Sequence, residues 1–199
     1  MSNENLQTEL LAMAAEDLRL RGVLLREGSL FDGYHPRMQE LHERNAARLL
    51  AILQCYGWPG RSMVGEDAAG AAWLILQHAI GNPTLQRQGL ALLREAATAG
   101  EIPLVQVAML EDRILSNEGR GQRFGTQFDW DEHGLISPLP IEDAAHVDAR
   151  RRDIGLAPLA QDIRRMRELA TQEGERPPRD WNARQREKEA WLRATGWRK

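Results

Sequence analysis

The chain predicts a mainly α fold: an irregular helical bundle of about seven helices with a small inserted β-hairpin. Three observations carry this expectation. Five successive segments between residues 6 and 117 repeat apolar residues at three- and four-residue intervals, the period of one helix face. Glycine or proline punctuates the ends of these segments. The stretch 122–140, QRFGTQFDWDEHGLISPLP, then changes texture, with aromatics, two glycines and two prolines around a turn signal.

The elements follow in order. The first helix is expected over 6–27, with Leu11, Ala14, Leu18 and Leu25 on one stripe. Arg21 falls on that stripe four residues after Asp17, a spacing at which the two can pair. After the loop GSLFDGYHP, Pro36 is placed to start a second helix reaching Tyr56, with Met38, Leu49, Ile52 and Leu53 as its apolar side. The turn GWPG stops it. A third helix, 66–79, is apolar almost all round (AAGAAWLIL), which marks it as the most buried. Asn82 can cap a fourth helix running to about Thr98, and Pro103 opens a fifth that ends near Asn117.

The hairpin is expected within 122–140, turning at 131–134. Two shorter helices follow at 143–153 and 158–172. The linker EGERPPRDW precedes a charged helix, 182–193, carrying Trp191 and flanked by Trp181 and Trp197. The expected organisation is a helical domain over 1–172 and a basic, tryptophan-containing tail over 173–199.

Composition narrows the function classes. With 199 residues, 42% hydrophobic and 28% charged, the chain is long enough for a full core. Cys55 is the single cysteine, so an internal disulfide and a cysteine-only metal cage are excluded, and the thiol reads as packed. The N-terminus lacks a basic signal-peptide region, and the longest apolar run, 68–80, is broken by Gly70, Gln77 and His78. The expectation is a cytoplasmic protein without a membrane partner. Residues 150–199 hold 14 basic against 8 acidic side chains, a net of +6, leaving −9 on the preceding 149. Acids interspersed in that basic stretch argue against nucleic acid and for solvated helical faces, the Arg150-Arg151-Arg152 run included.

Polar residues inside apolar stripes point to where function lies. Arg21, His42 with Asn45, His78, Gln86 and Asp112 all stand where a plain bundle would place leucine. Burying such groups unpaired costs about 1–3 kcal/mol each, so the interior holds either a polar network or a site. His42 and Asn45, three apart, project from one face with Met38 and Leu49. Two imidazoles and the Asp112 carboxylate, if they converge, can bind a divalent metal or act as a base oriented by a carboxylate. Asp112 can instead pair with Arg21 as a structural answer to two inward charges. Gln86, Gln122 and Gln127 offer neutral amides suited to a polar small molecule, or tie the hairpin to the bundle.

The segments HERNAARL (42–49), GWPGRSMVG (57–65), AAWLILQHA (71–79), LQRQGLALL (85–93), LEDRI (110–114), GQRFGTQFDWD (121–131) and PIEDAAHVDARRRDIGL (140–156) follow one another along the chain. Through them the chain resembles a bacterial family of unknown function. The resemblance implies a mostly helical fold and no named activity. Its motifs single out His42, Asn45, Gln77, His78, Gln86, Asp112, Arg113, Gln122, Gln127, Asp143, Asp148 and Arg151. It does not reach beyond about residue 172.

The reading is an enzyme acting on a polar small molecule by acid–base or metal-assisted chemistry. His42, His78 and Asp112 are its catalytic candidates; Asn45, Gln86, Arg113, Gln122 and Gln127 are its substrate-binding candidates. The alternative is a non-catalytic ligand-binding or protein-interaction module that uses the tail tryptophans as anchors. The sequence names neither cofactor nor metal.

Overall fold

The computed structural model describes residues 2–31 and 33–199, and it is mainly helical with one two-stranded hairpin. Its packing divides into two compact units, Met1–Gln106 and Val107–Lys199. Among the described residues, no helix is long and apolar enough to cross a membrane.

The first unit is built from α1 (Asn3–Glu27), α2 (Pro36–Tyr56), α3 (Arg61–Val64), α4 (Glu66–His78) and α5 (Pro83–Thr98). α4 packs on α1, α2, α3 and α5. It is the most enclosed helix, as its run of alanines and aliphatics requires: Ala68, Ala72, Ile75 and Leu76 are all but inaccessible. Helix ends follow local chemistry. Ser2 caps α1, Pro36 opens α2, and the Asn82 side chain accepts the Leu85 N–H to start α5. The four-residue α3, set between Gly60 and Gly65, was not expected, since one helical turn is too short to show a period.

α1 corrects the sequence reading. Its buried face is Leu6, Leu10, Ala14, Asp17, Leu20 and Leu24, whereas Leu11 and Leu18 are exposed, Leu18 by 56%. Leucines at both sets of positions satisfy the helical period, and the structure buries the set that includes Asp17. Arg21 is half-buried beside that face. Cys55 is exposed rather than packed.

α6 (Leu104–Asn117) leads into the second unit, which continues with β1 (Phe128–Trp130), β2 (Ile136–Pro138), a 3₁₀ turn (Ala144–His146), α7 (Val147–Asp153), α8 (Leu159–Gln172) and α9 (Trp181–Ala194). The strands pair antiparallel, Asp129 opposite Ser137. The Asp131 carboxylate shapes their turn by accepting from the His133 and Leu135 N–H groups and the Ser137 hydroxyl. Arg151, expected on a solvated helix, is fully buried in α7. Its guanidinium donates to the Phe124 and Ala157 carbonyls and pairs with Asp162 of α8.

Residues 173–199 are docked. Asp129 receives Arg184 and Lys188, each at 2.8 Å. Trp181 Nε1 donates to the Trp130 carbonyl, while Trp130 Nε1 donates to Glu175. Leu192 and Trp197 are buried, and Arg198 donates to the Asn117 carbonyl and pairs with Glu189. The indole N–H groups of Trp130 and Trp181 are thus spent inside this unit.

Burial alone would raise the Asp129 pKa, but Lys188 and Arg184 hold it below its usual 3.8. A lowered carboxylate contributes stability that is present above its unfolded value and is lost as pH falls through the folded one. Acidification to below the ordinary aspartate value of 3.8 is therefore expected to weaken the docking of α9. Hydrogen exchange of residues 181–194 reads this. Asp129→Asn should show the weakened protection already at neutral pH, and equal protection in both proteins would contradict the role given to Asp129.

Candidate functional site

In the first unit, three helices bring one carboxylate and two imidazoles together. Asp17 stands on the inward face of α1 and is 1% exposed. His42 lies on the inward face of α2, one turn before Asn45, and both are buried. His78 is the last residue of α4, its side chain 28% exposed. His78 Nδ1 lies 2.8 Å and His42 Nε2 3.1 Å from the same oxygen, Asp17 Oδ2. The two rings are 4.9 Å apart between centroids.

The hydrogen bonding is uneven. The ionised carboxylate accepts from His78 Nδ1–H, which leaves His78 Nε2 as the ring nitrogen turned away from Asp17. His42 Nε2, close as it is, sits off the hydrogen-bond line to Oδ2, and Asp17 Oδ1 has no hydrogen-bond partner among the described residues. On the far side of its ring, His42 Nδ1 meets the Tyr34 hydroxyl at 2.8 Å, with the two rings stacked. Tyr34 also packs on the apolar cluster of Leu20, Leu24, Met38 and Leu41. The result is a continuous chain, Tyr34–His42–Asp17–His78, running from an apolar core to a partly exposed imidazole.

Electrostatics follow from that arrangement. Burial works against the Asp17 charge, yet the imidazoles of His42 and His78 outweigh it and hold the carboxyl far below the usual range. Burial, with Glu43 and Asp17 nearby, pushes the Tyr34 hydroxyl well above its usual value, so it stays protonated.

α5 positions His78. Gln86 is fully buried, and its Nε2 donates to the Leu76 and Gln77 carbonyls at 2.8 and 3.1 Å. Those are carbonyls of the last turn of α4, where Leu76 O also accepts the Ala79 N–H and the helix ladder has run out. One turn along α5, Gly89 lets the helices approach: a Cβ there would meet Leu76 at 2.6 Å. Gln86 thus holds the backbone from which His78 projects, and in this structure its donor group faces protein rather than ligand. Buried Asn45 keeps a free hand, since its Nδ2 has no hydrogen-bond partner among the described residues.

The remaining candidates lie in the second unit. Asp112 accepts from the N–H groups of Arg123, Phe124 and Thr126 and from the Thr126 hydroxyl, at 2.7 to 3.2 Å. Burial pushes its carboxyl up against those bonds. It organises the 122–127 loop, and the carboxylate that meets His42 and His78 is Asp17. Gln122 is fully buried, donating to the Gln127 and Leu139 carbonyls and accepting from Gln127 N–H. Gln127 Nε2 donates to the Met109 carbonyl and the Thr126 hydroxyl. These amides tie the hairpin to α6. Arg113 is half-buried, its guanidinium pushed down to about 10 by desolvation. His146 pairs with Asp143 on the surface.

Asp17 is the residue that sequence reasoning missed. The signal was there: Leu6, Leu10, Ala14, Asp17, Leu20 and Leu24 are separated only by three- and four-residue steps, as are Leu11, Ala14, Leu18, Arg21 and Leu25.

Residues 4–172 match the family described as Family of unknown function (DUF6624), and the chain belongs to it. The match ends with α8, so residues 173–199 lie beyond it. No curated protein and no solved structure matches the chain.

Gln86→Leu should remove the side-chain donor from the Leu76 and Gln77 carbonyls and cost about 1–3 kcal/mol, read as a lower urea midpoint at unchanged m-value. An unchanged midpoint would mean that α4 ends correctly without Gln86.

Proposed function

We propose that this DUF6624 member is an enzyme acting on a polar small molecule by acid–base or metal-assisted chemistry, with its reactive centre at Asp17, His42 and His78. The observation that carries the reading is one buried carboxylate oxygen shared by two imidazoles, one of which reaches solvent. A bundle needing only a filled core would place aliphatic side chains at these positions, because desolvating a carboxylate costs several kcal/mol even after relaxation. Within the centre, Asp17 orients His78 through Nδ1, leaving Nε2 to take or give a proton. His42, braced by Tyr34, supplies the second imidazole, and Asn45 is a neutral donor one turn away on α2. Of the original catalytic candidates, His42 and His78 keep their roles in this proposal, and Asp17 replaces Asp112 as the orienting carboxylate.

The test is turnover of a panel of polar esters, amides and phosphomonoesters by the full chain, beside His78→Ala. His78 is partly exposed, so its removal should leave the chain folded, though less stable for the loss of an Asp17 partner, while lowering turnover by at least the roughly 10²-fold typical of a lost general acid or base. A variant that melts early yet turns over normally per folded molecule would make the cluster structural.

A further inference from the structure

We infer that Asp17, His42 and His78 form a binding site for one divalent first-row transition-metal ion of the zinc type. The inference deepens the proposed function and rests on the same cluster being the reactive centre. It remains separable from that function, because an ion binds whether or not a substrate is turned over.

Geometry comes first. Each of the three residues offers one ligand atom, and these atoms lie within 4.8 Å of one another. Zinc holds nitrogen and carboxylate oxygen at about 2.0–2.2 Å, which sets ligand atoms roughly 3.3 Å apart in a tetrahedron. The observed separations from Asp17 Oδ2 are 3.1 Å to His42 Nε2 and 2.8 Å to His78 Nδ1. For these two separations a shift of a few tenths of an ångström turns hydrogen-bond contact into coordination spacing, and the two imidazole nitrogens, within 4.8 Å of each other, close on the ion by side-chain rotation.

Unsatisfied atoms come second. His42 Nε2 is buried and points off the line to Oδ2, and Asp17 Oδ1 is buried without a hydrogen-bond partner among the described residues. The imidazoles offset the burial of the Asp17 charge, yet these two buried atoms still lack a hydrogen bond of good geometry. A cation held by His42 Nε2, His78 Nδ1 and the Asp17 carboxylate gives the buried imidazole nitrogen a partner and the carboxylate a second charge to face.

The outer partner is also in place. An imidazole that ligates through one nitrogen normally donates its other N–H to a fixed acceptor, which sets tautomer and ring orientation. His42 has the Tyr34 hydroxyl there at 2.8 Å, and a hydroxyl can accept as readily as it donates. The donor set of two imidazoles and a carboxylate, with no thiolate, selects borderline divalent ions rather than copper(I) or an iron–sulfur cluster. Three protein ligands leave the remaining positions to water or substrate, the pattern of catalytic rather than structural zinc. His78, the partly exposed member, marks the side from which those positions are reached.

The experiment titrates the chelator-treated, tag-free full chain with Zn²⁺, followed by calorimetry and by ¹⁵N spectra of the histidine rings. The expected result is one equivalent bound, with the resonances of His42 Nε2 and His78 Nδ1 shifted to the values of metal-bearing nitrogens. Asp17→Asn, His42→Ala and His78→Ala should each weaken binding by more than 100-fold, and Tyr34→Phe by the 10–100-fold typical of a lost outer partner. His146→Ala, which removes an exposed Asp–His pair, should change nothing. No stoichiometric binding overturns the inference, as does binding that leaves the His42 and His78 resonances unmoved. The ring spectra of the unaltered protein decide this even where a variant fails to fold. Stoichiometric zinc without turnover of any panel substrate upholds the site and sinks the enzymatic reading. Turnover that persists in protein shown to bind no metal does the reverse.

Discussion

One buried charge organises the first unit. Asp17 occupies a core position of α1 between Ala14 and Leu20, and a carboxylate there is tolerated only with compensating partners. Those partners come from two other helices, α2 through His42 and α4 through His78. Apolar packing alone leaves helices free to slide by small amounts at little cost, whereas a shared oxygen does not. The register of α1, α2 and α4 is therefore set as much by this contact as by Leu10, Leu49 and Ile75, which fill the core. Gln86 and the absent side chain of Gly89 act on the same contact indirectly, by holding the end of α4.

The second unit solves a different problem with the same means. The 122–127 loop lacks a ladder partner for most of its backbone, and buried backbone groups must be paired. Asp112 takes its N–H groups, and Arg151 takes its Phe124 and Gly125 carbonyls. Gly125, at φ +67° and against Ile141 and Leu159, provides the turn that lets both side chains reach. This is why residues with catalytic chemistry, an aspartate, an arginine and two glutamines, are so dense here. Their bonds are made to the chain itself.

How much of this was legible from the sequence depended on whether the signal was local. The start and end of α2 coincide with Pro36 and the GWPG turn, and Asn82 caps α5 as its place before Pro83 suggests. The hairpin turn follows from Asp131 and Gly134. The inward direction of His42 and Asn45 followed from Met38 and Leu49 on the same face. Partnership was not legible. Helix α1 carries leucine on two faces, and periodicity cannot say which is buried, so Arg21 was read inward and Asp17 treated only as its partner. Asp112 does face inward, but periodicity says nothing about which atoms a carboxylate meets, and here they are the amides of a loop eleven to fourteen residues away.

The claim that Asp17 and the imidazoles form one coupled unit is tested most directly by a double-mutant cycle. The stabilities of Asp17→Ala, His42→Ala and the double variant would be measured in the metal-free protein by urea unfolding. Removing either partner strands the other in the core, so each single variant should lose about 3 kcal/mol or more. The double variant should lose clearly less than the two together, leaving a coupling of at least 1 kcal/mol. Losses that add to within about 0.5 kcal/mol would show two independent core residues, and the account of a shared charge would be wrong.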